Sequence, residues 1–123
     1  MEKYKKDHFQ PGNEIEQLKW QKSTTGSPGV WTKNIINFQD NTKIIVKLVK
    51  IDPGGEIIPH IHDSIEIMYI LKGEGKMFMD KQKKVIFSKG SCVVAPAGLK
   101  HGLKNTLDNP VILLCIFTPN NRK

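Results

Sequence analysis

The stretch PHIHDSIEIMYILKGEG, Pro59 to Gly75, decides how the chain is read. Ile61, Ile65, Ile67, Met68, Ile70 and Leu71 mark it as a strand within a core. His60, His62 and Glu66 occupy even positions along it. Successive side chains of a strand alternate between faces, so these three are expected on one face. Two imidazoles and a carboxylate facing a core are costly unless they are paired or bound to a metal. One such histidine would read as a core residue with a satisfied hydrogen bond; His, His and Glu together point to ligation. Neutral imidazole with carboxylate suits one divalent transition metal ion (Fe, Mn, Ni, Zn or Cu). It suits neither Ca nor a cysteine-type structural zinc site.

The flanking chain reads as short β-like runs between turns. Val30–Phe38, Thr42–Ile51, Lys76–Asp80, Val85–Phe87, Ser91–Pro96, His101–Asn105 and Val111–Phe117 alternate with turn signals such as DPGG and KGEG. No window carries a helical period over eleven residues or more. The pattern predicts an all-β sandwich or barrel. Ahead of it, Ile15–Trp20 reads as a short strand or helical turn, and Ser23–Gly29 as a plain loop. The expected division is 1–29 as a tail with a first edge segment, 30–119 as the barrel domain and 120–123 as a tail.

The chain has 123 residues, the size of one ordinary domain. No apolar run approaches the roughly 20 residues of a membrane helix. The start, MEKYKKDHFQ, lacks the apolar region of a signal peptide. The expectation is a cytoplasmic protein without a membrane partner. The formal net charge is +7, but Arg122 is the sole arginine and the lysines are scattered. No helix-turn-helix, arginine-rich arm or basic aromatic ladder accompanies the charge, so no nucleic-acid partner is expected. Cys92 and Cys115 lie in apolar runs and read as reduced core residues.

Two histidines remain, His8 in the polar start and His101 just after the PAG turn. At His101 the sequence resembles the cupin superfamily. Its first motif is Gly, five residues, His-x-His, three or four residues, Glu, six residues, Gly. Here that is Gly54, His60, His62, Glu66 and Gly73. Its second is Gly, five residues, Pro-x-Gly, two residues, His, three residues, Asn. Here that is Gly90, Pro96, Gly98, His101 and Asn105. The resemblance implies a double-stranded β-helix, the jelly-roll cupin barrel, with a metal held by His60, His62, Glu66 and His101. It also implies a homodimer. Glu66 is the candidate catalytic residue, able to carry a proton as in three-His, one-Glu cupins. Asn105 reads equally as a group supporting the ligands or as a strand-end residue.

The parity that turns His60, His62 and Glu66 inward also turns Ser64, Met68 and Ile70 inward. On the next run either Met77 and Met79, or Phe78, face in. Ile44, Val46 and Leu48 form one candidate inner row, which puts Lys43 and Lys47 outside. On the last run Leu113, Cys115 and Phe117 compete with Ile112, Leu114 and Ile116. A filled core above a small metal pocket is the expected result. With no cation inside, oxalate-type acids and nucleotide-sugars are disfavoured. The expected function is a metal-dependent enzyme on a small organic molecule, dioxygenase-like first. A metal-dependent isomerase or lyase, or a non-catalytic small-ligand module, is the alternative.

Overall fold

The structure is a computed structural model and describes residues 12–36, 43–80 and 83–118. Among the described residues a short helix, α1 (Gly12–Gln17), precedes ten strands. These are β1 (Gln21–Lys22), β2 (Val30–Ile36), β3 (Ile45–Ile51), β4 (Glu56–His60) and β5 (Ile65–Lys72), then β6 (Glu74–Met79), β7 (Lys83–Ser88), β8 (Cys92–Ala95), β9 (His101–Lys104) and β10 (Val111–Thr118). They form two antiparallel sheets. One runs β1-β2-β3-β10-β5-β8 and the other β4-β9-β6-β7. The all-β jelly roll expected from the sequence is the fold observed. Among the described residues, no helix is long and apolar enough to cross a membrane.

The core lies between the sheets. β5 turns Glu66, Met68 and Ile70 inward, and β10 turns Val111, Leu113 and Cys115 inward. β6 contributes Met77 and β7 contributes Phe87, both fully buried. On β10 the odd row is therefore the inner one. On β6, Met77 is buried and Met79 packs against the core, while Phe78 lies outside under the ammonium of Lys84.

Three expectations need correction. Pro59–Gly75 is not one strand. β4 ends at His60 in the small sheet, residues 61–64 cross over, and β5 begins at Ile65 in the large sheet. Parity along a single strand therefore does not explain why His60, His62 and Glu66 meet. Second, the inner row of β3 is not Ile44, Val46 and Leu48. Val49 and Ile51 are buried, and Lys47, on the same parity, lines the central cavity. The opposite face of this end of the sheet is covered by Trp20, whose ring lies under the ammonium groups of Lys33 and Lys50 at 4.8 and 4.9 Å. A strand apolar on both faces gives periodicity no means of choosing between them. Third, Cys92 is exposed, whereas Cys115 is buried. On β8 the inward residues are Val93 and Ala95, so Cys92 shares the outer face with Val94.

Asn105 is fully buried and pins the barrel end away from the histidines. Its Nδ2 donates to the carbonyls of Ile51 at 3.0 Å and Asn109 at 2.8 Å, and its Oδ1 accepts from the Leu107 amide at 3.1 Å. The strand-end reading is the one observed. Asn105→Ala would leave the buried Ile51 carbonyl without its partner and remove two part-buried bonds, to the Asn109 carbonyl and the Leu107 amide, a cost of about 1–3 kcal/mol. Urea unfolding should show that loss. The folded fraction should bind metal as the parent does, because none of these bonds reaches a histidine.

Candidate metal centre

Four side chains converge from both sheets and the crossover. His60 ends β4, His101 begins β9, His62 lies on the crossover and Glu66 is the second residue of β5. β4 and β9 pair with His60 directly opposite His101. One candidate donor atom from each of the four lies within 4.8 Å of all the others. The three imidazole rings are mutually close, with centroids 4.6, 4.9 and 5.2 Å apart. All four residues expected from the sequence are thus brought together. They grade from an exposed His60 and a partly exposed His62 to a buried Glu66 and His101.

The backbone fixes the orientation of each ring. Nδ1 of His60 lies 2.9 Å from the Ile58 carbonyl, Nδ1 of His62 lies 3.0 Å from that of Ser64, and Nδ1 of His101 lies 3.0 Å from that of Leu99. A carbonyl only accepts, so each Nδ1 carries the hydrogen and each Nε2 is left for another partner. This is the orientation a metal-binding histidine needs, with the outer nitrogen tied and the inner one basic. Glu66 Oε1 lies 2.9 Å from Nε2 of His101 and 3.3 Å from Nε2 of His62. Three neutral nitrogens and a carboxylate oxygen fit a divalent transition metal.

Electrostatics agree with the geometry. Burial pushes the Glu66 carboxyl up, but hydrogen bonds from His101, Cys115 and His62, with the His101 charge, outweigh it and hold the group below its usual 4.5. Burial pushes His101 down, but its bonds to Glu66 and the Leu99 carbonyl outweigh that and hold it above 6.5. Cys115 is raised by burial and by the adjacent Glu66 charge, so its thiol stays protonated and is no nucleophile.

These shifts set a pH window for the metal-free protein. The stability from His101 is present below 6.5 and is lost as pH rises through its raised value. The stability from Glu66 is present above 4.5 and is lost as pH falls through its lowered value. The pair therefore stabilises the chelator-treated protein most between 4.5 and 6.5. Thermal melts across pH should show that maximum, and Glu66→Gln should flatten it. An unchanged profile in the variant would remove the pair as its cause.

Behind the cluster lies a cavity of about 80 Å³. Val49, Met68, Met77, Leu103 and Phe117 make it largely apolar, and Lys47 supplies a cation. Ser23, Thr25 and Ser27 line its other side, so the segment read as a plain loop is a wall of the cavity. Ser27 is buried, and its Oγ accepts from the Ile58 amide at 3.3 Å, two residues from His60. Neither Lys47 nor these hydroxyls was identified from the sequence. The inward turn of Lys47 follows from the register of β3 on β10, which places it opposite the buried Cys115.

The family model for the Cupin domain matches residues 47–117, and the chain belongs to the cupin family. It is 25% identical to glutelin type-B 4 of Oryza sativa subsp. japonica over 87% of its own length. It spans about a quarter of that relative, 27%. It is 35% identical to the acireductone dioxygenase of Tuber melanosporum over 51% of this chain and 42% of that one. Among solved structures, a predicted oxalate decarboxylase from Thermotoga maritima superposes with a TM-score of 0.79 at 22% identity, covering 86% of this chain and 96% of that one. The polyketide cyclase RemF from Streptomyces resistomycificus superposes with a TM-score of 0.76 at 18% identity, covering 84% and 75%. At such identities these structures establish the shared fold.

Proposed function

We propose that this cupin is a metal-dependent enzyme acting on a small organic molecule, dioxygenase-like in its chemistry. His60, His62, Glu66 and His101 hold one divalent transition metal ion, and Glu66 is the catalytic residue. The observation that carries this reading is the set of three imidazoles whose Nδ1 atoms are tied to backbone carbonyls while their Nε2 atoms and Glu66 Oε1 converge. The bound ion would supply Lewis acidity and open positions for substrate or O₂. The chain supplies the rest. The apolar wall of Met68, Met77 and Leu103 keeps water from the buried side. Glu66, when its carboxylate leaves the ion, can take a proton from a ligand in the cavity or return one to it, beside a site whose histidines stay tied through Nδ1. The partial likeness to an acireductone dioxygenase supports oxygen chemistry as the first assignment.

A metal-dependent isomerase or lyase is the second reading, favoured by a carboxylate at Glu66 that faces the cavity and can carry a proton without oxygen. Oxygen uptake by the iron-loaded protein across a panel of small enols and keto acids separates the two. Substrate-dependent uptake that is lost in Glu66→Ala supports the dioxygenase. Turnover without uptake supports the isomerase or lyase, and no turnover with retained ligand binding supports a binding module. The proposal includes a homodimer. Its support is the outer face of β5 and β8, where Tyr69, Leu71 and Val94 stay exposed. Sedimentation at a single monomer mass would contradict it.

A further inference from the structure

The sequence placed Lys47 outside the barrel, and the structure turns it into the cavity beside the metal centre. Lys47 is half-buried on β3, between Asn34 on β2 and Cys115 on β10. Its ammonium lies 5.0 Å from the centre of the Phe117 ring. The same ring lies 5.6 Å from that of His62, and Phe117 stands opposite Glu66 in the strand register. One aromatic ring therefore separates the lysine from the histidine cluster. Among the described residues Lys47 makes no ion pair; both ion pairs of the site belong to Glu66.

A cation on a largely apolar wall, with an aromatic face beside it and no carboxylate partner among the described residues, is poorly compensated. Among the described residues Glu66 is the one acidic side chain lining the cavity, and two imidazoles already engage it. With a divalent ion bound, one lysine against one glutamate leaves two positive charges in the site. The cavity therefore favours an anion and rejects a cation. A single ammonium matches a single negative charge, whereas a phosphate dianion calls for further cations. The size is also limited. At roughly 10–15 Å³ per water-sized probe, 80 Å³ holds a ligand of about six heavy atoms.

We propose that the cavity takes a small monocarboxylate whose carboxylate is held by the Lys47 ammonium and whose short apolar body lies toward the histidine cluster. Lys47 is then the residue that sets substrate class. The inference rests on the metal-enzyme reading for its chemistry but not for its binding. It is tested with isobutyrate and its neutral counterpart isobutyramide as probes, by NMR titration of metal-free and zinc-loaded protein. Both forms should bind isobutyrate about 10- to 100-fold more tightly than the amide, the value of a charge-assisted hydrogen bond. Lys47→Met should abolish that preference, and Lys47→Arg should keep it. Equal binding of the two probes by the parent would overturn the proposal. So would a preference that survives Lys47→Met but disappears on chelation, since the carboxylate would then be on the ion. A protein that binds no zinc yet shows the preference and its loss in Lys47→Met would defeat the metal-enzyme reading and leave this inference standing.

Discussion

His101→Ala is expected to lower metal affinity by more than about 100-fold while the barrel still folds. His101 is the most buried of the three histidines, and its Nε2 makes the shortest contact with Glu66. Loss of a group that only supports a metal ligand typically costs 10- to 100-fold in affinity, so loss of a ligand should cost more. Folding should survive because the core of Ile70, Met77, Phe87, Leu103 and Leu113 does not depend on the imidazole. The price is a buried Glu66 with one fewer donor, about 1–3 kcal/mol. The carboxyl should then shift upward, because burial would oppose fewer compensating bonds. Metal titration followed by urea unfolding reads both effects. A variant that loads metal as fully as the parent would remove His101 from the site.

Gly102→Ala is expected to damage stability and metal binding together. A Cβ on Gly102 would lie 2.7 Å from the Ile57 carbonyl oxygen, 2.8 Å from the Pro59 nitrogen and 2.9 Å from the Pro59 Cα. All three are backbone atoms of β4, so no side chain can turn aside to make room. β4 carries His60 and β9 carries His101, opposite one another. Forcing the strands apart here spreads two of the four candidate ligands. Overpacking of this kind costs about 3 kcal/mol. The variant should unfold at lower urea concentration and bind metal more weakly than its folded fraction alone explains. Parent-like values for both would show that β4 and β9 tolerate separation at this point.

Which residues form the candidate centre could be read from the sequence, but how they meet could not. The spacing from Gly54 to Asn105 identified His60, His62, Glu66 and His101 through a family resemblance. The strand parity offered beside it reached residues that do converge, but for the wrong reason, because residues 61–64 cross between sheets. Parity is informative only within one strand, and the turn-forming pair Asp63–Ser64 was the local mark that the chain changes sheets between His60 and Ile65. Lys47 escaped for a related reason. IIVKLV is apolar on both parities, and a lysine is ordinarily assigned to solvent. The pairing of Lys47 with Cys115 and the burial of Val49 and Ile51 on the same parity show that its row faces the cavity. Gly102 carried no signal at all, since its role is set by how closely the β4 backbone approaches. Cys92 was misread because an apolar neighbourhood in sequence, SCVVAP, spans both faces of an edge strand.

The most direct test of the account is elemental analysis of the untagged protein beside a His60→Ala/His62→Ala double variant. The account predicts close to one Fe, Mn, Ni, Cu or Zn ion per chain in the parent and a near-complete loss in the variant, with a β-rich circular dichroism spectrum in both. A parent that carries no metal and takes up none of these ions when they are supplied would contradict it.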